Sequence, residues 1–119
     1  MKYVEPGQYS REEVENAIAS NSETELIDMV ISASMFAEDG DWAETVCLRL
    51  ANHSNSSIRG NAILGFGHIS RVHGKVSSPV VKDLLKNALL DQDEYVRGQA
   101  EAALDDLEHF LGWQINGSA

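Results

Sequence analysis

Four histidines, one cysteine and nineteen carboxylates are the residues of this chain with chemistry to offer. The first question is whether any are spaced to act together. His68 and His73 are five apart, a poor fit to one helical face, and neither His-x-x-x-His nor Cys-x-x-Cys occurs, so no zinc site is predicted. His53 and His109 stand apart from them. Asp91-Gln92-Asp93-Glu94 opens like a calcium loop. An EF-hand needs Gly and Glu further on, where Val96 and Ala102 stand. Cys47 falls on an apolar stripe and reads as a small core hydrophobe, not a nucleophile. Gly65-Phe66-Gly67 lies within a helical pattern and lacks the Lys of a phosphate loop. Glu12/Glu13 and Asp105/Asp106 are adjacent pairs that point apart on a helix, so they read as solvated surface. The expectation is a protein that is not an enzyme and holds no cofactor or metal.

Charge narrows the partners. The net charge of −10 argues against direct binding to nucleic acid, which needs cations to displace phosphate counterions. The distribution is uneven: residues 1–41 hold ten acids and two bases, residues 42–77 one acid and four bases, and residues 78–119 eight acids and three bases. No apolar run could span a bilayer. The opening Met1-Lys2-Tyr3-Val4-Glu5-Pro6-Gly7 has no apolar core of a signal peptide. A single cysteine suits a reducing compartment. The expected location is the cytoplasm, without membrane contact.

Whatever this chain does must be positioned by helices. "IRGNA" at 58–62 and "VRGQA" at 96–100 are one phrase written twice, 38 residues apart. Around the second copy, Val96, Ala100, Ala103, Leu104, Leu107 and Leu111 form one apolar stripe, with Asp93 placed to cap it. Before it, Val81, Leu84, Leu85 and Ala88 line a helix over 79–90, with Ser78 as cap and Pro79 in the first turn. Shifted by 38 residues, Trp42, Val46, Cys47 and Leu50 mirror Val80, Leu84, Leu85 and Ala88, and Ile58, Ala62, Gly65, Phe66 and Ile69 mirror Val96, Ala100, Ala103, Leu104 and Leu107. Asp41 and Glu44 resemble a capping box for the earlier helix. Gly65 and Gly67 each cost roughly 1 kcal/mol in a helix relative to Ala, and close packing of a neighbour is the compensation.

A third, weaker copy comes first. Ser10-Arg11-Glu12-Glu13 and Ser22-Glu23-Thr24-Glu25 are capping boxes, with Glu38-Asp39-Gly40 as the stop. Ile27 stands where the later copies have Arg. The reading is one domain over 1–113: hairpins at about 11–37, 42–73 and 79–111, then a flexible tail at 114–119. Stacked hairpins of this length bury a continuous core that no single pair could.

The repeat resembles the HEAT-repeat family, best over 79–107, "PVVKDLLKNALLDQDEYVRGQAEAALDDL". The Pro opening the first helix, the Leu pairs, the Asp-x-Asp turn, then Val-Arg and an Ala-rich second helix carry the likeness. Residues 42–73 match less well and 11–37 only in shape. The resemblance implies an all-α fold: a short right-handed α-solenoid of about three stacked hairpins. It also implies a ladder, in which a turn Asp and the Arg opening the second helix join neighbouring repeats. Asp91 and Arg97 match both positions. Arg59 matches in the middle repeat, where His53 replaces the Asp. An Arg there can fork to turn carbonyls or to a carboxylate.

In a solenoid the second helices line one long face, so their off-stripe residues are the candidate partner-binding set. These are Asn61, Leu64 and His68 in the middle repeat, and Gln99, Glu101, Asp105, Asp106, Glu108 and His109 in the last. Trp113, just beyond the last helix, reads as a cap on the core or as an exposed anchor, the cap being favoured. Apolar anchors inside an acidic rim suit a basic protein partner. Short, acidic, non-enzymatic bacterial immunity proteins, which neutralise toxic nuclease domains, are similar in size and charge. The expected function is therefore an immunity protein that neutralises a basic toxin domain. The alternative is a HEAT adaptor or regulatory subunit on a larger complex. HEAT-like lyases and DNA glycosylases also exist, but those glycosylases need a basic groove.

Overall fold

The computed structural model describes residues 8–114, and among them the chain is helical with no strand. The helices are α1 (Arg11–Ser20), α2 (Glu23–Phe36), α3 (Gly40–Leu50), α4 (Ser56–His73), α5 (Ser78–Leu89) and α6 (Glu94–Leu111). They form the three expected hairpins. The tail beyond Gln114 and the opening segment 1–7 lie outside the described residues. No described helix is long and apolar enough to cross a membrane.

The second helices α2, α4 and α6 pack side by side in one layer, with α4 in the middle. Helices α1, α3 and α5 each pack on their own hairpin partner, and the body measures 53 × 29 × 20 Å. The repeated stripes make the core. Val96, Ala100, Ala103, Leu104 and Leu107 are buried, and so are Ile58, Ala62, Phe66 and Ile69. Phe66 alone is worth about 2–3 kcal/mol relative to an exposed ring. Leu111 and Leu84 are half-buried at the edges. Trp113 packs against the core, and the Lys82 ammonium lies over its ring at 5.2 Å.

The glycines inside α4 are packing residues. A Cβ on Gly65 would collide with the Cys47 sulfur, and one on Gly67 would sit 3.0 Å from the Ala103 Cα of α6. Cys47 is wholly buried, and burial pushes its thiol pKa up, which keeps it protonated and inert.

Three caps differ from expectation. Asp39, not Asp41, caps α3, its carboxylate accepting from the Trp42 N–H at 3.1 Å. Gly40, expected to stop α2, therefore opens α3. Glu44 instead reaches the next hairpin, accepting from the Ser77 N–H and hydroxyl, both at 2.6 Å. Ser77 is the residue that precedes α5, so Ser78 becomes its first helical residue. The box at Ser10 and Glu13 forms, but Ser22 makes no side-chain cap. The tight link through left-handed Asn21 (φ 51) fixes Ser22 by its backbone, whose N–H bonds to the Ala17 carbonyl.

Candidate functional site

The repeated Arg is the first site to place. Arg59 reaches across the joint between the second and third hairpins. Its Nε and Nη2 both meet the Asp91 carboxylate at 2.9 Å, while Nη1 donates to the His53 carbonyl at 2.9 Å. The Arg59 guanidinium holds the Asp91 carboxyl below its ordinary range, against a smaller opposing effect of burial. Arg97 does something else. Its Nη1 donates to the Asp91 and Gln92 carbonyls of its own turn, at 2.8 and 3.1 Å, and makes no bond to the Asp91 carboxylate. The rung that joins these neighbouring hairpins is therefore Arg59–Asp91. At the first joint, where Ile27 replaces the Arg, His53 serves instead. Its Nδ1 accepts from the Asn55 N–H, so Nε2 carries the proton and donates to Asn21 Oδ1 at 2.7 Å.

The same joints explain two of the nine candidate partner-binding residues. Asn61 is 2% exposed, not a surface residue. Its amide N–H donates to the Ile27 carbonyl at 3.0 Å, and its Oδ1 accepts from the Tyr95 hydroxyl and from Gln99 Nε2. Gln99 also donates to the Tyr95 oxygen at 2.9 Å. Asn61, Tyr95 and Gln99 thus form a polar seam joining α2, α4 and α6. Helix α4 has a neighbour on both sides, so its exposed arc is narrower than a lone helix would show.

The other seven divide by location. Leu64 and His68 are half-buried on the outer arc of α4, and Asp106 of α6 is half-buried beside them. The His68 Nδ1 is buried with no hydrogen-bond partner. Burial first, then the Arg71 charge, lower its pKa, and Asp106 opposes them. This imidazole is held neutral. Glu101, Asp105, Glu108 and His109 are exposed along α6, and the His109 ring stands edge-on to Phe110.

Sequence periodicity did not single out a cleft of about 420 Å³ at the opposite end of the stack. It lies between the segment before α1 and the α2–α3 turn. Tyr9, Phe36 and Trp42 supply aromatic walls, Ser32 and Ala33 line it from α2, and Arg11, Glu38 and Asp39 bring charge to it. Phe36, the last residue of α2, is 51% exposed. Glu15 anchors the Trp42 indole, accepting from Nε1 at 2.8 Å and pairing with Arg49 at 2.7 Å. Those two bonds lower the Glu15 pKa. In the sequence, Phe36 falls on a different helical face from Leu26, Ile27, Val30 and Ile31, which is the signal that could have pointed to it.

Comparison with known proteins adds one likeness. No protein-family model matches the chain, and no curated protein matches it. A solved structure does: a chain in the crystal structure of a CDI complex from Cupriavidus taiwanensis LMG 19424. The two share 26% identity with a TM-score of 0.74, over 92% of this chain and 97% of that one.

Proposed function

We propose that this protein is a non-enzymatic immunity protein of a contact-dependent inhibition (CDI) pair, which binds a toxin domain and neutralises it. The observation that carries the reading is the likeness, over nearly the full length of both chains, to a chain of a CDI complex. Such a complex joins a toxin domain to its neutralising partner, and three features favour the neutralising side. Cys47 is sealed in the core. His53 and His73 are tied to Asn21 and to the Ala37 carbonyl. The net charge of −10 suits steering toward a basic domain, such as a nuclease, inside the cytoplasm. A rigid stack of HEAT-like hairpins needs little rearrangement to present such a surface.

The test is protection. Where a toxic domain is encoded beside this chain, cells expressing it are expected to survive when the chain is co-expressed, and the two proteins to co-elute. Growth arrest by this chain alone would place it on the toxin side and overturn the reading. Capture of a housekeeping complex without protection would favour an adaptor instead.

A further inference from the structure

We propose that the cleft between α1, α2 and α3 is the anchor site for a cationic side chain, Arg or Lys, of the protein partner; this rests on the binding role proposed above. Four observations converge there. The cleft is preformed, with about 420 Å³ of space and three aromatic walls, Tyr9, Phe36 and Trp42. Aromatic faces attract cations through the ring quadrupole. Its charged residues are two carboxylates, Glu38 and Asp39, against one base, Arg11, so one negative charge is left for an incoming cation. Ser32 is only 5% exposed, lines the cleft, and its hydroxyl makes no hydrogen bond among the described residues. Facing the cleft, that hydroxyl can accept from an incoming N–H donor. Finally, the chain already holds one guanidinium in this way. Arg11 lies over the Trp42 ring at 5.2 Å and 3.8 Å from the Asp39 carboxylate. Both side chains of that pair are more than half exposed, so the hold is loose.

The arrangement therefore selects a flat or compact cation on a flexible apolar stem. The stem would pack between Phe36 and Trp42, and the head would donate to Ser32 Oγ and the carboxylates. An anchor of this kind, aromatic-walled and partly desolvated, is where binding energy concentrates at protein interfaces. A neutral aromatic side chain would fill the walls but leave the extra carboxylate uncompensated.

The probe is N-acetyl-arginine amide, titrated into the full chain and followed by amide chemical shifts. Saturable shifts at Ser32, Phe36, Ala37 and Trp42 are expected, with the neutral citrulline analogue producing none. Phe36→Ala, at an exposed wall, should weaken the probe about five-fold while the melting curve is kept. Arg11→Gln should tighten it, because it frees the Trp42 face and Asp39. Equal binding of the citrulline analogue, weaker binding to Arg11→Gln, or shifts centred on Glu101, Asp105 and Glu108 would each overturn the anchor. Loss of the anchor with protection intact would move the docking surface elsewhere. Loss of protection with the anchor intact would instead remove the immunity reading.

Discussion

Helices α4 and α6 are both 18 residues long and open on the same phrase, yet one edge of α4 is buried where the same edge of α6 meets water. In the 38-residue register, Gly60, Ile63, Gly67 and Ser70 correspond to Gly98, Glu101, Asp105 and Glu108. The first four are buried and the second four are exposed. On α4 this edge receives α6: Gly60 lies under the Tyr95 ring and Gly67 against Ala103. On α6 it would receive a fourth hairpin, and three of its four positions carry carboxylates. Those acids forbid further stacking, since burying each would cost several kcal/mol. End repeats with a polar outer face keep such stacks soluble and finite. The Arg pair obeys the same rule. Arg59 extends its fork to the next turn, whereas Arg97, among the described residues, bonds to the carbonyls of its own turn.

The largest test makes one substitution at both registers. Gly67→Leu drives a side chain into the Ala103 backbone, and about 3 kcal/mol of stability should be lost. Asp105→Leu, at the matching open position, should stay within about 0.5 kcal/mol. Urea denaturation of both variants decides it. Equal losses would mean that α6 does not dock on this edge of α4.

How much of this could be read beforehand follows from what each feature depends on. The core stripes and the cap at Asp93 depend on spacing within one helix, and they were legible. Gly65 and Gly67 were legible as packing residues because a helix bears their cost only for a close neighbour. The cap of α3 was not. Asp39-Gly40-Asp41 offers two equivalent acids, and the helix starts at the one that lets the Trp42 indole reach Glu15, 27 residues away. Asn61 was misplaced for the same kind of reason. Its register marks it as off the stripe, but a helix with neighbours on two sides covers part of its off-stripe arc. The cleft beside Phe36 needs the segment at Gln8 and Tyr9 folded over α2, and no periodicity encodes that. The acids of α6 were legible as exposed, while their correspondence to a buried edge emerged only once α4 and α6 were seen to touch.

The next test separates the two arginines. Arg59→Ala removes a two-pronged bond to a half-buried carboxylate and should cost about 2 kcal/mol. Arg97→Ala removes bonds to turn carbonyls only and should cost about 1 kcal/mol. Acid should discriminate further. Asp91 titrates lower in the folded chain than in the unfolded one, so the unfolded chain binds more protons as the pH falls. The rung is thus fully stabilising above the ordinary carboxyl pKa and is lost as the pH drops through the lowered folded value. The stability gap between the wild type and Arg59→Ala should narrow below about pH 4, leaving the part carried by the bond to the His53 carbonyl. The gap for Arg97→Ala should change far less across the same range. Parallel acid profiles would leave Arg59–Asp91 as a contact without energetic weight.

The smallest expected effect has opposite signs at the two edges. Gly98 lies inside α6, and a Cβ there would have nothing within 4 Å. Gly98→Ala should therefore gain about 0.5–1 kcal/mol from helix propensity and a less flexible unfolded chain. Gly60→Ala offers the same intrinsic gain, but its Cβ would stand 2.9 Å from two carbons of the Tyr95 ring. That ring cannot swing aside freely, because Asn61 and Gln99 hold its hydroxyl. Overpacking costs of about 1–3 kcal/mol should outweigh the gain and make Gly60→Ala destabilising. Urea midpoints at unchanged slope give both signs directly. If Gly60→Ala raised the midpoint as much as Gly98→Ala, Tyr95 would not close over α4. The buried edge and the open edge would then differ in charge alone, and the carboxylates of α6 would have no stacking position to guard.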